Sequence, residues 1–124
     1  MPNTDRAEIE SVIQTYFDGL YDGDVDKLAK AFHPTSALTQ AQDGKIVVMP
    51  RDAWLDWVRT RPSSKSKGLA RHDEILSLEV AGPTMAFVKV KCQMPPRYFT
   101  DQLSLLKIDG RWQIAQKVFQ TETR

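Results

Sequence analysis

The chain has 124 residues, of which 41% are hydrophobic and 27% charged, and these proportions are typical of one globular domain over residues 1–124. A formal net charge of +1 excludes a strong overall attraction to nucleic acid or to membranes, and no apolar run reaches the roughly 20 residues of a membrane-spanning helix. The N-terminus is polar and acidic, unlike a signal peptide, and the single cysteine cannot form an internal disulfide, so we expect a cytoplasmic protein.

Three helices are predicted in the first half of the chain. The first covers residues 4–21, where apolar side chains recur at helical spacing. They are Ile9, Val12, Ile13, Tyr16, Phe17 and Leu20. Asp24 can cap a second helix, which must end before Pro34. The third helix is the segment RDAWLDWVRTR, in which Trp54, Trp57 and Val58 share one face.

The strands form a hairpin between the second and third helices and the whole second half of the chain. The hairpin turns at Asp43-Gly44, a favoured two-residue pair. The later strands are HDEILSLEV, AFVKVKC, RYFTDQLSLLKI and RWQIAQKVF. The order α-α-β-β-α-β-β-β-β predicts an α+β fold in which three helices pack in the concave face of a strongly curved, mainly antiparallel sheet. Such a curled sheet forms a cone, and its open end is a natural ligand cavity.

The alternation and register of the last two strands determine which of their side chains point into the cone. On the first of them, Asp101 points to the same side as Leu103 and Leu105, so an apolar face ends in a carboxylate. This carboxylate either emerges into solvent or forms the polar end of a pocket. A two-residue turn at Asp109-Gly110 pairs Leu103 with Gln116 and Asp101 with Val118, which places Gln116 inside and Lys117 outside.

The segment IESVIQTYFDGLYDGDVDKLAKAFHPTSALT and the order of elements resemble the nuclear transport factor 2-like superfamily, which includes ketosteroid isomerases and SnoaL-type polyketide cyclases. Within it, AFHP, FTDQLSLLKIDGRWQI and KVF are most similar to the lumazine-binding protein group. The resemblance covers essentially the whole chain and implies a cystatin-like cone. It specifies the fold far better than the chemistry, because the superfamily hosts many activities.

The resemblance to the isomerase members suggests three candidate catalytic residues. Their oxyanion hole joins a tyrosine of the first helix to an aspartic acid of a late strand, and these positions fall on Tyr16 and Asp101. Their catalytic carboxylate falls on Gln40, an amide that cannot accept a proton at working pH. The isomerase activity is therefore not carried over, unless His33, at the end of the second helix, replaces the missing base.

The predicted ligand-binding side chains lie around the same hollow. They are Phe17, Gln40, Trp54, Trp57, Val58, Leu103 and Gln116. One of the two tryptophans on the third helix can stack on a flat ligand, although aromatic side chains at this spacing are more often core residues. No metal or cofactor is expected, since two histidines and one cysteine far apart in sequence offer no ligand spacing.

The loop from Arg59 to Arg71 carries five basic residues and no acidic one. It is either a solvated flexible loop or a contact for a phosphate or carboxylate near the open end of the cone. No aromatic side chains alternate with these charges, so binding of single-stranded nucleic acid is poorly supported.

Three functions remain open on the sequence alone. The first is a protein that binds an aromatic or polyketide-like small molecule in a cavity of at least about 300 Å³. The second is an isomerase-, cyclase- or dehydratase-type enzyme with Tyr16 and Asp101 as its oxyanion hole. The third is a protein-interaction module that uses the outer sheet face. That face carries Phe87, Lys89 and Lys91, and we also expect it to form a homodimer.

Overall fold

The computed structural model describes residues 2–124, with side chains from Thr4 onward, and shows three helices and six strands. The helices are α1 (Pro2–Asp22), α2 (Val25–Ala31) and α3 (Arg51–Thr60). The strands are β1 (Ala37–Gln42), β2 (Lys45–Pro50), β3 (Glu74–Val80), β4 (Met85–Met94), β5 (Arg97–Ile108) and β6 (Arg111–Thr123). The predicted order of elements and the α+β class are confirmed. None of the helices within residues 2–124 combines the length and the apolar character needed to cross a bilayer.

The six strands form one sheet in the order β2-β1-β6-β5-β4-β3. Every neighbouring pair is antiparallel except β1 and β6, which run parallel. The predicted hairpin turns are both present: Asp43-Gly44 joins β1 to β2, and Asp109-Gly110 joins β5 to β6. All four of these residues have positive φ, between 51° and 77°, as the tight type I′ turn requires.

Polar contacts cap the start of α2 and join its end to α3. The Asp24 carboxylate accepts hydrogen bonds from the backbone N–H groups of Asp26 and Lys27 and so caps α2, as predicted. The Arg51 guanidinium, at the start of α3, donates to the carbonyl oxygens of Ala29 and Phe32 at the end of α2. These bonds satisfy carbonyl groups that a helix end would otherwise leave free.

The core lies between the helices and the inner face of the sheet. The apolar stripe of α1 contributes Ile9 and Ile13, and β4 and β5 contribute Val88 and Leu105, all fully buried. The helical period and the strand alternation of the sequence therefore identify the correct inward faces of α1, β4 and β5.

The predicted register of β5 and β6 is right near the turn and wrong beyond it. Leu105 pairs with Ile114, as predicted, but Ser104 pairs with Gln116, so Ala115 is an extra residue in a β-bulge. The bulge reverses the face of every later residue of β6. Leu103 therefore lies opposite Lys117, which is only 4% exposed, and Gln116 points to solvent.

Candidate functional site

A chain of hydrogen bonds joins one side chain from each of α1, β5 and β6 in the interior of the cone. The Tyr16 hydroxyl donates to Asp101 Oδ2 at 2.6 Å, and Lys117 Nζ donates to the Tyr16 hydroxyl oxygen at 2.8 Å. Lys117 Nζ also lies 3.8 Å from Asp101 Oδ2. Tyr16 and Asp101 are fully buried. The structure thus brings together the two residues that the resemblance singled out and adds a cation to them.

The surroundings of Tyr16 keep its phenol protonated. Burial, and after it the Asp101 carboxylate, raises the pKa of Tyr16 well above its ordinary value. Burial and the same carboxylate also raise the pKa of the Cys92 thiol, which lies 3.8 Å from Asp101 Oδ2. Tyr16 is therefore a neutral hydroxyl group that donates one hydrogen bond and accepts another. Cys92 is a buried thiol rather than a nucleophile.

The Lys117 ammonium group is surrounded by aromatic rings. Its Nζ lies 4.6 Å from the ring centre of Phe119, 5.2 Å from that of Tyr16, 5.5 Å from that of Trp54 and 5.9 Å from that of Phe99. Each ring offers its electron-rich face to the cation, which partly offsets the loss of water on burial.

A cavity of about 160 Å³ lies beside this cluster, between α3 and the strands β1, β2, β5 and β6. Its walls are mostly apolar and aromatic, and its polar lining includes Gln40, Lys117, Arg61 and Arg97. No aspartate or glutamate among the side chains described from Thr4 onward lines it. The cavity is smaller than the predicted 300 Å³, because the side chains of β6 that the bulge turns inward, Lys117 and Phe119, occupy part of the hollow.

Two arginines stand at the partly exposed side of the cavity around Trp57. The guanidinium carbons of Arg61 and Arg97 lie 4.2 and 5.9 Å from the centre of the Trp57 ring, and Trp57 itself is 44% exposed. Burial, and next the positive charge of Arg97, lowers the pKa of Arg61 to about 10. Two mutually repelling cations beside an apolar cavity favour the approach of an anion.

Three of the seven predicted ligand-binding residues line the cavity, namely Gln40, Trp54 and Trp57. Three others, Phe17, Val58 and Leu103, are core residues that are at most 4% exposed. They are buried as predicted, but they do not line the cavity.

The structure moves two predicted site residues away from the cavity. Gln116 lies on the outer face because of the bulge in β6. The His33 ring closes the turn that follows α2: its Nδ1 lies 2.8 Å from Thr35 Oγ1 and accepts a hydrogen bond from the Thr35 backbone N–H. Neither is among the lining residues, so His33 is not placed to act as a base there.

The sequence reasoning missed Lys117, Arg61 and Arg97. Alternation along β5 could have revealed Arg97, because residues 97, 99 and 101 share one face. The spacing of Trp57 and Arg61, four residues apart, also predicts their contact. For Lys117 no such signal exists, since a single extra residue in β6 decides its direction.

No group of three histidine, cysteine, aspartate or glutamate side chains in the described part of the chain could hold a metal ion. The site is instead built from one amine, one phenol, one carboxyl group, two guanidinium groups and aromatic rings. That combination suits organic ligands with flat rings and electron-rich oxygens.

Comparison with known proteins gives a family and a fold. Residues 4–120 match the family described as "Putative lumazine-binding". A relative from Cladobotryum sp., named Aldolase FrzH, is 28% identical over 123 residues, which cover 95% of this chain and 94% of that protein.

Two solved structures illustrate the shared fold. A nuclear transport factor 2-like protein of unknown function from Shewanella baltica OS155 superposes with a TM-score of 0.87 at 21% identity, covering 100% of this chain and 98% of that one. A ketosteroid isomerase-like protein from Erwinia carotovora atroseptica SCRI1043 superposes with a TM-score of 0.74 at 16% identity, covering 95% and 96%. The chain therefore belongs to the "Putative lumazine-binding" family and shares its fold with nuclear transport factor 2-like and ketosteroid isomerase-like proteins.

Proposed function

We propose that the cavity binds a small, flat molecule of one or two rings that carries an anionic or carbonyl oxygen. The observation that carries this proposal is the lining itself: aromatic walls, the guanidinium groups of Arg61 and Arg97, and the amine of Lys117. Lys117 has the Asp101 carboxyl group 3.8 Å away, but no aspartate or glutamate of the described residues lines the cavity itself. An apolar cavity of roughly 150 Å³ is large enough for benzene, so one ring can enter while a second lies beside the exposed Trp57.

The apolar and the polar groups of the lining suit different parts of such a ligand. The rings of Trp54 and Phe119 offer flat apolar surfaces for stacking. The Gln40 amide can donate to or accept from a polar ring edge, and the two guanidinium groups favour a negative charge. Lumazines are flat two-ring compounds with carbonyl oxygens, so the family description agrees with this chemistry.

Titration with the isosteric pair naphthoate and naphthamide, followed by calorimetry, tests the proposal. The two probes have the same rings and differ in charge. We expect naphthoate to bind at least about tenfold more tightly, because a charge-assisted hydrogen bond is worth roughly twice a neutral one. Lumazine is titrated in parallel as a probe of the family's described ligand.

Substitution of the arginines locates the binding. Arg61→Gln and Arg97→Gln are expected to remove most of the preference for naphthoate while leaving naphthamide binding within about twofold. Arg59→Gln is the matched control, because Arg59 pairs with Asp56 at 2.6 Å and does not line the cavity. If neither probe nor lumazine binds, or if Arg59→Gln weakens binding as much as Arg61→Gln, the cavity is not the ligand site.

A second candidate function is chemistry on a carbonyl compound. It is favoured by the hydrogen-bonded chain of Lys117, Tyr16 and Asp101, of which Lys117 lines the cavity and the other two lie behind it in the core, and by the relative that is named an aldolase. An oxyanion hole of Tyr16 and Asp101 suits this geometry less well, because the Tyr16 proton already points at Asp101. A fluorogenic aryl β-hydroxyketone tests the activity: cleavage by the wild-type protein that is lost in Lys117→Met supports it, and equal background cleavage by both proteins contradicts it.

A further inference from the structure

We propose that the Lys117 amine is a nucleophile that forms a covalent imine with a carbonyl-bearing ligand in the cavity. Three observations meet at this side chain: it lines the cavity, it is 96% buried among aromatic rings, and it is hydrogen-bonded to Tyr16. The proposal rests on the proposed ligand site and adds the bond that the ligand forms there.

The position of Lys117 brings its nitrogen within reach of a ligand. The side chain lines the cavity, its Nζ faces the rings of Phe119 and Trp54, and the Tyr16 hydroxyl oxygen lies 2.8 Å away. A lysine attacks a carbonyl group as the neutral amine, so the ammonium group must first pass a proton to a neighbour.

The hydrogen-bonded chain supplies a route for the proton that the amine must lose. The Lys117 ammonium donates to the Tyr16 oxygen, and Tyr16 donates to Asp101 Oδ2. If each proton moves one step along these bonds, Lys117 becomes a neutral amine, Tyr16 remains a phenol and Asp101 becomes a neutral carboxylic acid. This transfer leaves the net charge of the buried triad unchanged.

The covalent step then balances without any further reagent. The nitrogen lone pair forms a bond to the carbonyl carbon while the π pair of the C=O bond moves to oxygen. The nitrogen gives up its two hydrogens and the former carbonyl oxygen leaves with them as water, so that a C=N bond replaces the C=O bond. Lys117 is the residue that bonds to the ligand, and Tyr16 is a positioning residue that carries the proton away.

Benzoylacetone, a β-diketone, is a suitable probe because its imine rearranges to a conjugated and therefore more stable product. A proton shifts from the methylene group to nitrogen, and the product is an enaminone that absorbs at longer wavelength than the protein. We expect the intact mass of the wild-type protein to rise by one benzoylacetone minus one water. Peptide mapping is expected to locate the adduct on Lys117, and an excess of naphthoate is expected to slow its formation.

Variants separate the nucleophile from the proton carrier. Lys117→Met is expected to lose the adduct, whereas Lys89→Met, which removes an exposed lysine of β4, retains it. Tyr16→Phe is expected to slow adduct formation at least tenfold, and proton-transfer assistance typically contributes about 10²- to 10⁴-fold. Its naphthoate dissociation constant is expected to stay within about twofold, which a merely structural role of Tyr16 would not predict.

The outcomes distinguish this inference from the proposed function. Naphthoate binding without an adduct on Lys117 overturns the imine and leaves the ligand site standing, whereas failure of naphthoate to bind or to protect overturns the ligand site. Adducts spread over surface lysines, at a rate that Lys117→Met does not change, also overturn the imine. The wild-type peptide map keeps the test decisive even if a variant does not fold.

Discussion

Lys117 is the residue that the proposed ligand site and the proposed imine share, and its burial has an energetic cost. Removing an ammonium group from water costs several kcal/mol unless partners replace the solvent. Here Tyr16, the Asp101 carboxyl group and four aromatic rings do so. Replacing such a buried pair by apolar groups is often neutral for stability, so its presence points to a use in binding or catalysis.

A double-mutant cycle tests whether Lys117 and Asp101 depend on each other. Lys117→Met is expected to lower the free energy of unfolding by about 3 kcal/mol, because it leaves the Asp101 carboxylate buried without its cation. Lys117→Met combined with Asp101→Asn is expected to be less destabilised than the single variant, since neither charge remains. Urea unfolding at neutral pH measures the free energy of unfolding of the wild type, the two single variants and the double variant. Strict additivity of the two single changes would mean that the pair is not coupled.

The helices, strands and turns follow closely from local sequence signals, whereas the β-bulge within β6 does not. Helical spacing predicts α1, the Asp24 cap predicts the start of α2, and the Asp-Gly pairs predict both tight turns. The bulge at Ala115 has no such signal, because inward and outward side chains alternate regularly on each side of it. The bulge changes only which residues after it face inward. The inward direction of Lys117 therefore could not be read from β6 alone.

A polar connection between α1 and the approach to β3 gives a prediction that depends on pH. Arg71 donates to Asp18 and to Asp73, each at 2.6 Å. The hydrogen bond from Arg71 is the largest cause that lowers the pKa of Asp18 below its ordinary 3.8. Because the folded pKa is the lower one, the contribution of this pair is fully present above pH 3.8 and is lost as the pH falls through the folded pKa.

Arg71→Gln is accordingly expected to lower the free energy of unfolding at neutral pH by at most about 1 kcal/mol, since the pair is partly exposed and screened. The difference from wild type is expected to shrink as the solution is acidified towards protonation of Asp18. Denaturant unfolding over a series of pH values measures it. Arg59→Gln, whose arginine pairs only within α3, is expected to change little, and a loss for Arg71→Gln that persists in acid would contradict the explanation.

At the scale of the whole molecule, the inner face of the sheet encloses the site and the outer face is left for contacts. Val48, Thr39 and Val118 lie side by side across β2, β1 and β6, and the two valines are 56% and 54% exposed. Met85 and Leu106 form a second exposed pair on neighbouring strands. We propose that this outer face forms a homodimer, as expected from the sequence. The expected cytoplasmic location likewise stays a prediction.

Val118→Glu tests the homodimer at the centre of that face. If two copies pair there, the wild-type protein has twice the chain mass in solution, and the buried carboxylate of the variant shifts the equilibrium to the monomer. Light scattering coupled to size-exclusion chromatography measures the mass. Lys67→Glu, in the exposed loop between α3 and β3, is the control and is expected to keep the wild-type mass. A wild-type monomer would refute the pairing.

The most direct test of the ligand site beside Lys117 is a crystal structure of the protein with naphthoate. We expect the naphthalene rings in the cavity between α3 and β6, in contact with Trp54 or Phe119. We also expect the carboxylate within hydrogen-bonding distance of Lys117, Arg61 or Arg97, and the Lys117 side chain inside the cone. Naphthoate bound elsewhere, or a regular β6 with Lys117 pointing to the solvent, would contradict the proposed site.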